Sequence, residues 1–193
     1  MEITTIKVDE LMVNLQEYYD KALTTSEYRE TLTTLEDGFN KIYDEHEVVQ
    51  DQSFEDFKNS GRKLLVIAEP WCAHCMLNLS ILFKLSEKAN IDVKVALRDE
   101  NEELMNQYLT NGNKVIPKVI ALDEDGQEAA VWGPKAPMTD LIQKDLTKNL
   151  PEKGTAEYEE RFEEVKKEMR EKFSTSPELW DAVEADLKKV LSA

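Results

Sequence analysis

The amino-acid sequence predicts an α/β fold in which a central sheet is flanked by helices, with extra helices at both ends. Two observations lead to this prediction. Between residues 62 and 150, apolar runs of strand length alternate with segments of helical period, in the order β-α-β-α-β-β-α. Residues 1–61 and 151–193, in contrast, place their apolar side chains at helical spacing. We therefore expect a core at 62–150 between an N-terminal and a C-terminal helical extension, packed as one compact unit.

The N-terminal extension is predicted to form three helices. The first covers residues 9–24 and has Asp9 as its N-cap. The second covers about 26–47, and Gly38 is a point at which it can divide, because glycine is a poor helix former. Ser53 is the expected N-cap of a short third helix.

Strands and helices alternate in the predicted core. Leu64–Ala68 is continuously apolar, which is typical of a strand buried on both faces. Asp92–Leu97 alternates polar and apolar side chains and predicts a second strand. Lys118–Leu122 and Gln127–Trp132 flank the turn Glu124–Gly126 and predict a β-hairpin. The helices of the core and of the C-terminal extension are predicted at residues 73–89, 101–110, 139–149, 155–173 and 177–191.

The charge of the chain argues against two classes of partner. The 193 residues include 40 acidic and 24 basic side chains, so that the net charge is −16. The acidic excess lies mainly at the two ends, while residues 62–150 are nearly neutral. Because an acidic surface repels phosphate groups, we expect neither nucleic acid nor an anionic membrane as a partner.

We expect neither a transmembrane helix nor a secretory signal in this chain. Its longest stretch without a charged side chain, Pro70–Phe83, has 14 residues, whereas a membrane span needs about 20 apolar residues. The first residues lack the basic and apolar regions of a signal peptide. We therefore expect a cytoplasmic protein, and the sequence indicates no oligomeric state.

The two cysteines of the chain, Cys72 and Cys75, are its strongest chemical signal. Cys72 lies where a predicted strand gives way to a helix, and Cys75 follows one helical turn later, so that their sulfurs can form a disulfide. The N–H groups and the dipole at a helix start stabilise a thiolate on Cys72. A thiolate attacks disulfides, after which Cys75 can resolve the mixed disulfide. His74, when protonated, should favour the thiolate further and make the pair more oxidising.

The segment Trp71–Cys75, between an apolar strand and a helix, resembles the active site of the thioredoxin superfamily. The order of elements over residues 62–150 is similar to the core of that family, which has a central mixed sheet flanked by helices. Val115–Pro117 lies just before a predicted strand, and its proline follows Cys72 by 45 residues. It resembles the family's cis-proline loop, which lies beside the dithiol and offers backbone groups to the substrate.

This resemblance implies a thiol–disulfide oxidoreductase that reduces, forms or exchanges disulfides. Cys72 is then the attacking nucleophile, Cys75 the resolving cysteine and His74 the residue that tunes the thiolate. The implied substrate-binding residues are Trp71, Ile116 and Pro117. The implied partners are disulfide-containing proteins or small thiols, together with an unidentified reductant. No cofactor or metal is implied, because the dithiol itself carries the electrons.

The sequence departs from the family pattern near the dithiol. Ala-His stands in place of Gly-Pro between the cysteines, and a histidine before the second cysteine resembles the protein disulfide isomerases. The buried acid that thioredoxins have six residues before the first cysteine is Val66 here. Glu69 lies near but is expected on the other face of the strand. Lys118 replaces the usual threonine after the cis-proline.

Other interpretations of the dithiol stay open. A zinc site needs four ligands, and the soft ligands of the chain are Cys72, Cys75, His74 and His46. Because His74 lies between the two thiols, we expect no metal site. Alternatively, the chain is a non-catalytic thioredoxin-like module that holds a partner through its groove or its helical flanks.

Two lysines next to the predicted cis-proline suggest a preference among substrates. Lys114 and Lys118 flank Pro117 and would place positive charge beside the dithiol. Such charge would steer disulfides with an acidic neighbourhood towards the site, an effect that weakens with salt. The alternative is that both lysines are simply solvated.

Overall fold

The computed structural model describes residues 13–193, which form a mixed five-stranded sheet with helices packed around it. The strands are β1 (Leu23–Thr24), β2 (Lys63–Ala68), β3 (Val93–Leu97), β4 (Lys118–Leu122) and β5 (Glu128–Trp132). They lie in the order β1-β3-β2-β4-β5. β2 pairs parallel with β3 and antiparallel with β4, and β4 and β5 form the predicted hairpin. The predicted fold class is confirmed.

The helices of the described residues surround this sheet and extend beyond it at both ends of the chain. They are α1 (Leu15–Lys21), α2 (Thr25–Glu30), α3 (Glu36–Glu45), α4 (Gln52–Lys58), α5 (Ala73–Ala89), α6 (Glu102–Asn106), α7 (Pro137–Thr147), α8 (Ala156–Thr175) and α9 (Pro177–Leu191). The bounds of α5 and α9 agree with their predictions. Within residues 13–193, each helix is too short or too polar to cross a bilayer.

The N-terminal helices begin and end at other residues than predicted. The predicted cap Asp9 lies outside the described residues, and Asn14 caps α1 by accepting the Glu17 N–H. The predicted helix over 26–47 is interrupted at residues 31–35, where three threonines disfavour helix. Gly38 lies inside α3, where a Cβ atom would collide with the Met76 side chain. This glycine therefore permits close packing of α3 on α5.

The N-cap predicted for the third N-terminal helix is wrong. Asp51 caps α4, since its carboxylate accepts the Phe54 N–H at 3.0 Å, while Ser53 lies within the helix. The Ser53 hydroxyl donates instead to the Asp51 carboxylate. The negative charge of an aspartate at this position also interacts favourably with the helix dipole.

Strand β1 is absent from the prediction. Leu23 pairs with Val95 and Thr24 with Lys94, so that the N-terminal segment contributes an antiparallel edge strand to the sheet. Thr24 also caps α2 in a capping box with Glu27. A boundary between extension and core at residue 62 stays a prediction, but the sheet includes residues from before it.

Helix α5 is the most deeply buried helix of the described part of the chain. It packs against α3, α4, α8 and α9, and its side chains belong to the same apolar core as β2 and β4. Burial on nearly all sides explains why its sequence lacks a polar stripe. The two helical extensions therefore cover a helix whose first turn carries the cysteines.

A buried polar network joins the N-terminal and C-terminal helices. Glu184 on α9 accepts hydrogen bonds from the Val49 N–H and the Lys188 ammonium, both at 2.9 Å, and bonds to His46. Lys188 also donates to the Val49 carbonyl at 3.0 Å and to Asp51 at 3.2 Å. Burial alone raises the pKa of Glu184, but the hydrogen bonds outweigh it and hold this pKa below its usual range. Glu184 is therefore a buried carboxylate with partners on two segments of the chain.

We predict that Glu184→Gln destabilises the protein by about 3 kcal/mol at pH 7, because it leaves buried charge and hydrogen bonds uncompensated. The stabilisation by a carboxylate of lowered pKa is present above its unfolded pKa and is lost as the pH falls through the folded pKa. The difference in the free energy of unfolding between the parent and Glu184→Gln should therefore become smaller in acid. Urea unfolding at pH 7 and in acid measures it, with the exposed Glu171→Gln as control. Equal midpoints for the two variants at pH 7 would show that the network does not stabilise the fold.

Candidate active site

The two cysteines lie where β2 ends and α5 begins, as the sequence predicts. Cys72 is the N-cap of α5, and its sulfur accepts the Cys75 N–H at 3.2 Å. Cys72 is partly exposed, whereas Cys75 is fully buried behind it. This arrangement gives one thiol access to solvent and keeps the second within the helix directly beneath it.

The two thiols have opposite pKa shifts. The hydrogen bond with the Cys75 thiol lowers the pKa of Cys72, and the backbone N–H groups of Cys75 and His74 and the Arg98 charge lower it further, against the effect of burial. Burial and the neighbouring Cys72 raise the pKa of Cys75 well above its ordinary value. Cys72 is therefore the thiol that forms a thiolate first, as a helix N-terminus favours.

The proline loop lies against the exposed thiol. The Ile116–Pro117 peptide bond is cis, as the family resemblance implies. The Cys72 thiol lies 3.8 Å from the Ile116 carbonyl oxygen, to which its S–H donates. A side chain at Gly133, where φ is +121°, would collide with the Pro117 carbonyl oxygen, so that glycine is required there. The β4–β5 hairpin thereby holds this loop close to the dithiol.

Trp71 is a surface residue and not part of the core. Its side chain is 59% exposed, and the Arg98 guanidinium lies over its ring, 4.9 Å from the centroid. An exposed aromatic ring directly before Cys72 fits the predicted role in substrate binding. Arg98 itself was not identified from the sequence.

His74 does not supply the positive charge that the sequence analysis assigns to it. Its ring packs edge-on against Phe173 of α8, with ring centroids 5.1 Å apart. Burial, with a smaller effect of Lys135, lowers the pKa of His74 to about 4. Its Nδ1 atom is buried and has no hydrogen-bond partner among residues 13–193. At neutral pH the imidazole is therefore neutral, and the Cys75 thiol and the backbone N–H groups of Cys75 and His74, rather than the His74 side chain, stabilise the thiolate.

Glu69 lies closer to the dithiol than the predicted strand alternation indicates. β2 ends at Ala68, so that the alternation no longer fixes the direction of the next side chain. Glu69 is 6% exposed and accepts the Asp99 N–H at 2.9 Å. Its charge adds to the raised pKa of the Cys75 thiol. A buried carboxylate is therefore present beside the second cysteine, although not at position 66.

The N-terminal extension also reaches the site. Tyr28 of α2 is 1% exposed, and its hydroxyl donates to the Glu69 carbonyl at 3.2 Å. Burial raises the pKa of Tyr28, and the two cysteines raise it further. The phenol is therefore neutral and lies close enough to the thiols to respond to their charge.

Both lysines near the proline loop have partners, and substrate steering by their charge stays a prediction. Lys118 is 8% exposed, its Nζ donates to the Gly133 carbonyl at 3.1 Å, and burial lowers its pKa. Lys114 forms a surface ion pair with Glu102 at 2.8 Å. Lys118 is buried because all five residues of β4 are buried, so that it is not the solvated side chain of the alternative interpretation.

The four residues named as soft metal ligands do not form one group. His46 lies in the network with Glu184, away from the cysteines. Within residues 13–193, no three His, Cys, Asp or Glu side chains are grouped so that they could hold a metal ion.

A family model described as thioredoxin matches residues 22–147. The chain belongs to the thioredoxin family. The match begins directly before β1 and ends with α7, so that it includes α2, α3 and α4 from the predicted N-terminal extension. Helices α8 and α9 lie outside it.

Two solved structures share the fold of this thioredoxin family member. An HIV epitope-scaffold is 14% identical with a TM-score of 0.61, over 92% of this chain and 96% of the scaffold. A protein of unknown function from Pseudomonas aeruginosa is 18% identical with a TM-score of 0.58, over 83% of this chain and 96% of that protein. The likeness covers most of each chain and concerns the fold alone. No curated protein matches the chain significantly.

We predict that the reduced protein is alkylated first at Cys72. The lowered pKa and the partial exposure of Cys72 favour its thiolate over that of Cys75, which is buried and has a raised pKa. Limited iodoacetamide treatment at pH 6, followed by mass spectrometry with fragmentation, locates the label. Predominant labelling of Cys75 would reverse the assignment.

We predict that removal of the Phe173 ring raises the pKa of His74 from about 4 towards its ordinary 6.5, because the imidazole becomes hydrated. NMR titration of the imidazole measures the shift in Phe173→Ala and, smaller, in Phe173→Leu. Phe162→Ala, on the same helix, is the control. Because unfolded histidine binds a proton that folded His74 does not, the parent loses stability as the pH falls from 6.5 to 4. Phe173→Ala should lose less stability over this range. An unshifted titration of His74 in this variant would show that Phe173 does not control the pKa of His74.

Proposed function

We propose that this protein is a thiol–disulfide oxidoreductase whose redox centre is the Cys72–Cys75 dithiol. One observation carries the proposal. The exposed thiol at the start of α5 has a lowered pKa, and the thiol beneath it is buried and has a raised pKa. This division matches the two tasks of disulfide exchange, which needs one nucleophile that ionises readily and a second thiol that stays protected until it is required.

The reaction proceeds through a mixed disulfide. The Cys72 thiolate attacks one sulfur of a substrate disulfide, so that a Cys72–substrate S–S bond forms and the substrate S–S bond breaks. The departing substrate thiolate takes up a proton from solvent. Cys75 then loses its proton and attacks the Cys72 sulfur, which releases the second substrate thiol. The substrate gains two electrons and two protons, and the protein is left with a Cys72–Cys75 disulfide.

A thiol reductant returns the protein to its reduced form by the same steps in reverse. Its thiolate attacks the Cys72–Cys75 disulfide, and a second thiol of the reductant completes the exchange. The chemistry requires no further cofactor, because sulfur atoms carry all of the electrons. The direction of net reaction depends on the relative reduction potentials of this dithiol, the substrate and the reductant.

The surface around Cys72 suits a polypeptide substrate. Trp71, directly before Cys72, and Val115, directly before Ile116, are exposed apolar side chains, and the Ile116–Pro117 segment presents the Ile116 carbonyl next to the Cys72 sulfur. We assign substrate binding to Trp71, Ile116 and Pro117, with apolar contact from the indole ring and backbone contact from the loop. A disulfide in an extended segment can then approach Cys72 along the loop.

We predict that the protein accelerates reduction of insulin by dithiothreitol, and that Cys72→Ser reduces the rate to the uncatalysed background, because the attacking sulfur is lost. Cys75→Ser should retain attack but not resolution. This variant should therefore accumulate Cys72-linked mixed disulfides that dithiothreitol releases. Non-reducing electrophoresis with mass spectrometry measures the accumulation.

The two serine variants are matched, since each replaces one sulfur of the same motif by oxygen. If the parent accelerates insulin reduction no more than Cys72→Ser, and Cys75→Ser captures nothing, the oxidoreductase proposal is wrong. The chain would then be a thioredoxin-like module that binds partners without exchanging disulfides.

A further inference from the structure

Arg98 reaches the dithiol through the register of the sheet. β2 and β3 are parallel and in register, with Ala68 paired to Leu97 at their carboxyl ends. The next residues, Glu69 and Arg98, therefore leave the sheet at the same edge, and the segment after Glu69 leads directly to Cys72. The Arg98 side chain is 21% exposed, so that it lies largely within the surface of the site.

The guanidinium group of Arg98 contacts three parts of this surface. It lies over the Trp71 ring at 4.9 Å from the centroid. Its Nη1 donates to the Lys114 carbonyl at 3.1 Å, and its Nε donates to the Asp99 carboxylate at 2.9 Å. The first two contacts link the segment that leads to Cys72, which carries Trp71, with the loop that leads to the cis-proline, which carries Lys114.

The Arg98 charge also acts on the attacking sulfur. It is one of the groups that lower the pKa of Cys72, after the hydrogen bonds from α5. The other titratable groups near the dithiol are Cys75 and His74 on α5, Tyr28 on α2 and Glu69 after β2, and none of these is a cation at neutral pH. The neighbouring lysines are engaged elsewhere, Lys118 with the Gly133 carbonyl, Lys114 with Glu102 and Lys135 with Asp140.

We propose that Arg98 is a positioning residue of this redox centre, which fixes the Trp71 ring and the loop before Pro117 next to Cys72 and places a permanent positive charge near the attacking sulfur. The proposal rests on the proposed function, but its two structural effects can be measured without a substrate. Arginine suits both effects, since its planar group stacks on an aromatic ring, donates several hydrogen bonds in fixed directions and stays charged at every relevant pH.

Three variants separate the charge of Arg98 from its shape. Arg98→Gln removes the charge, and Arg98→Lys retains the charge but removes the planar group. Lys114→Gln is the matched control, because it removes a nearby cation while the carbonyl that accepts from Arg98 remains. Circular dichroism establishes that each variant is folded before it is compared.

The charge is tested by the rate of Cys72 alkylation between pH 4 and pH 9. A less stabilised thiolate is scarcer in acid but more nucleophilic once formed. We therefore expect Arg98→Gln to react about threefold more slowly at pH 6 and faster on the alkaline plateau. Arg98→Lys and Lys114→Gln should follow the parent. A crossing of the two pH profiles is not expected from a purely structural effect, which would lower or raise the rate at every pH.

The shape is tested by the order of the Trp71 ring. The indole N–H resonance of Trp71, assigned with Trp71→Phe, should show a reduced heteronuclear NOE in both Arg98 variants and an unchanged one in Lys114→Gln. In insulin reduction, both Arg98 variants should raise KM, because the binding surface is less ordered, while only Arg98→Gln should also alter the pH profile. Compared with Arg98→Gln, Arg98→Lys should therefore retain the effect of the charge on Cys72 but not the order of the Trp71 ring.

The outcomes distinguish this inference from the proposed function. A parent-like pH profile in Arg98→Gln together with an ordered Trp71 ring in Arg98→Lys would overturn the role of Arg98, whatever the insulin assay gives. If the parent reduces no disulfide while the alkylation and NMR results are as expected, the oxidoreductase proposal fails and the physical role of Arg98 stands. If Arg98→Gln does not fold, the order of the Trp71 ring in Arg98→Lys decides the question alone. A ring as ordered as in the parent contradicts the proposal, and a less ordered ring supports it.

Discussion

The register of β2 with its two neighbours determines which residues meet at the dithiol. The parallel pairing of Ala68 with Leu97 brings Arg98 to the edge from which the chain enters α5. The antiparallel pairing of Ile67 with Lys118 brings Pro117 to that edge from the other side. Three segments that are distant in the sequence therefore converge on Cys72, and a shift of one residue in either pairing would turn these side chains to the opposite face of the sheet.

Polar groups around this edge fall into two kinds. The buried charges have partners, as Glu69 accepts a backbone N–H and Lys118 donates to a backbone carbonyl. His74 Nδ1 and Asn78 Oδ1, in contrast, are buried without a hydrogen-bond partner among residues 13–193. Both lie in the first two turns of α5, next to the cysteines. Such atoms are not confined to this edge, since Ser60, Ser86, Thr110 and Thr139 each have a buried hydroxyl without a partner among the same residues.

Local patterns predicted much of this molecule, and contacts between distant segments account for what they missed. Periodicity found α5 and α9 because each is long, whereas β1 has two residues and no period. The dithiol and the cis-proline were identified from short motifs. The lowered pKa of His74 was not predicted because it results from burial, to which Phe173 contributes. Arg98 was missed because only strand register brings it to Trp71. The parallel strand ends could have indicated Arg98, had register been assigned from the sequence.

The contact between His74 and Phe173 has a consequence for synthesis of the chain. Phe173 follows His74 by 99 residues, and ribosomes add roughly 5–20 residues per second. During translation the segment with both thiols therefore leaves the ribosome roughly 5–20 seconds before the ring that covers it. In that interval the His74 ring, which lies between the two cysteines in the sequence, is not covered by Phe173, and an oxidant could join the thiols of the nascent chain to other thiols. A reducing environment, or a chaperone that shields the segment until α8 emerges, would protect the newly made protein.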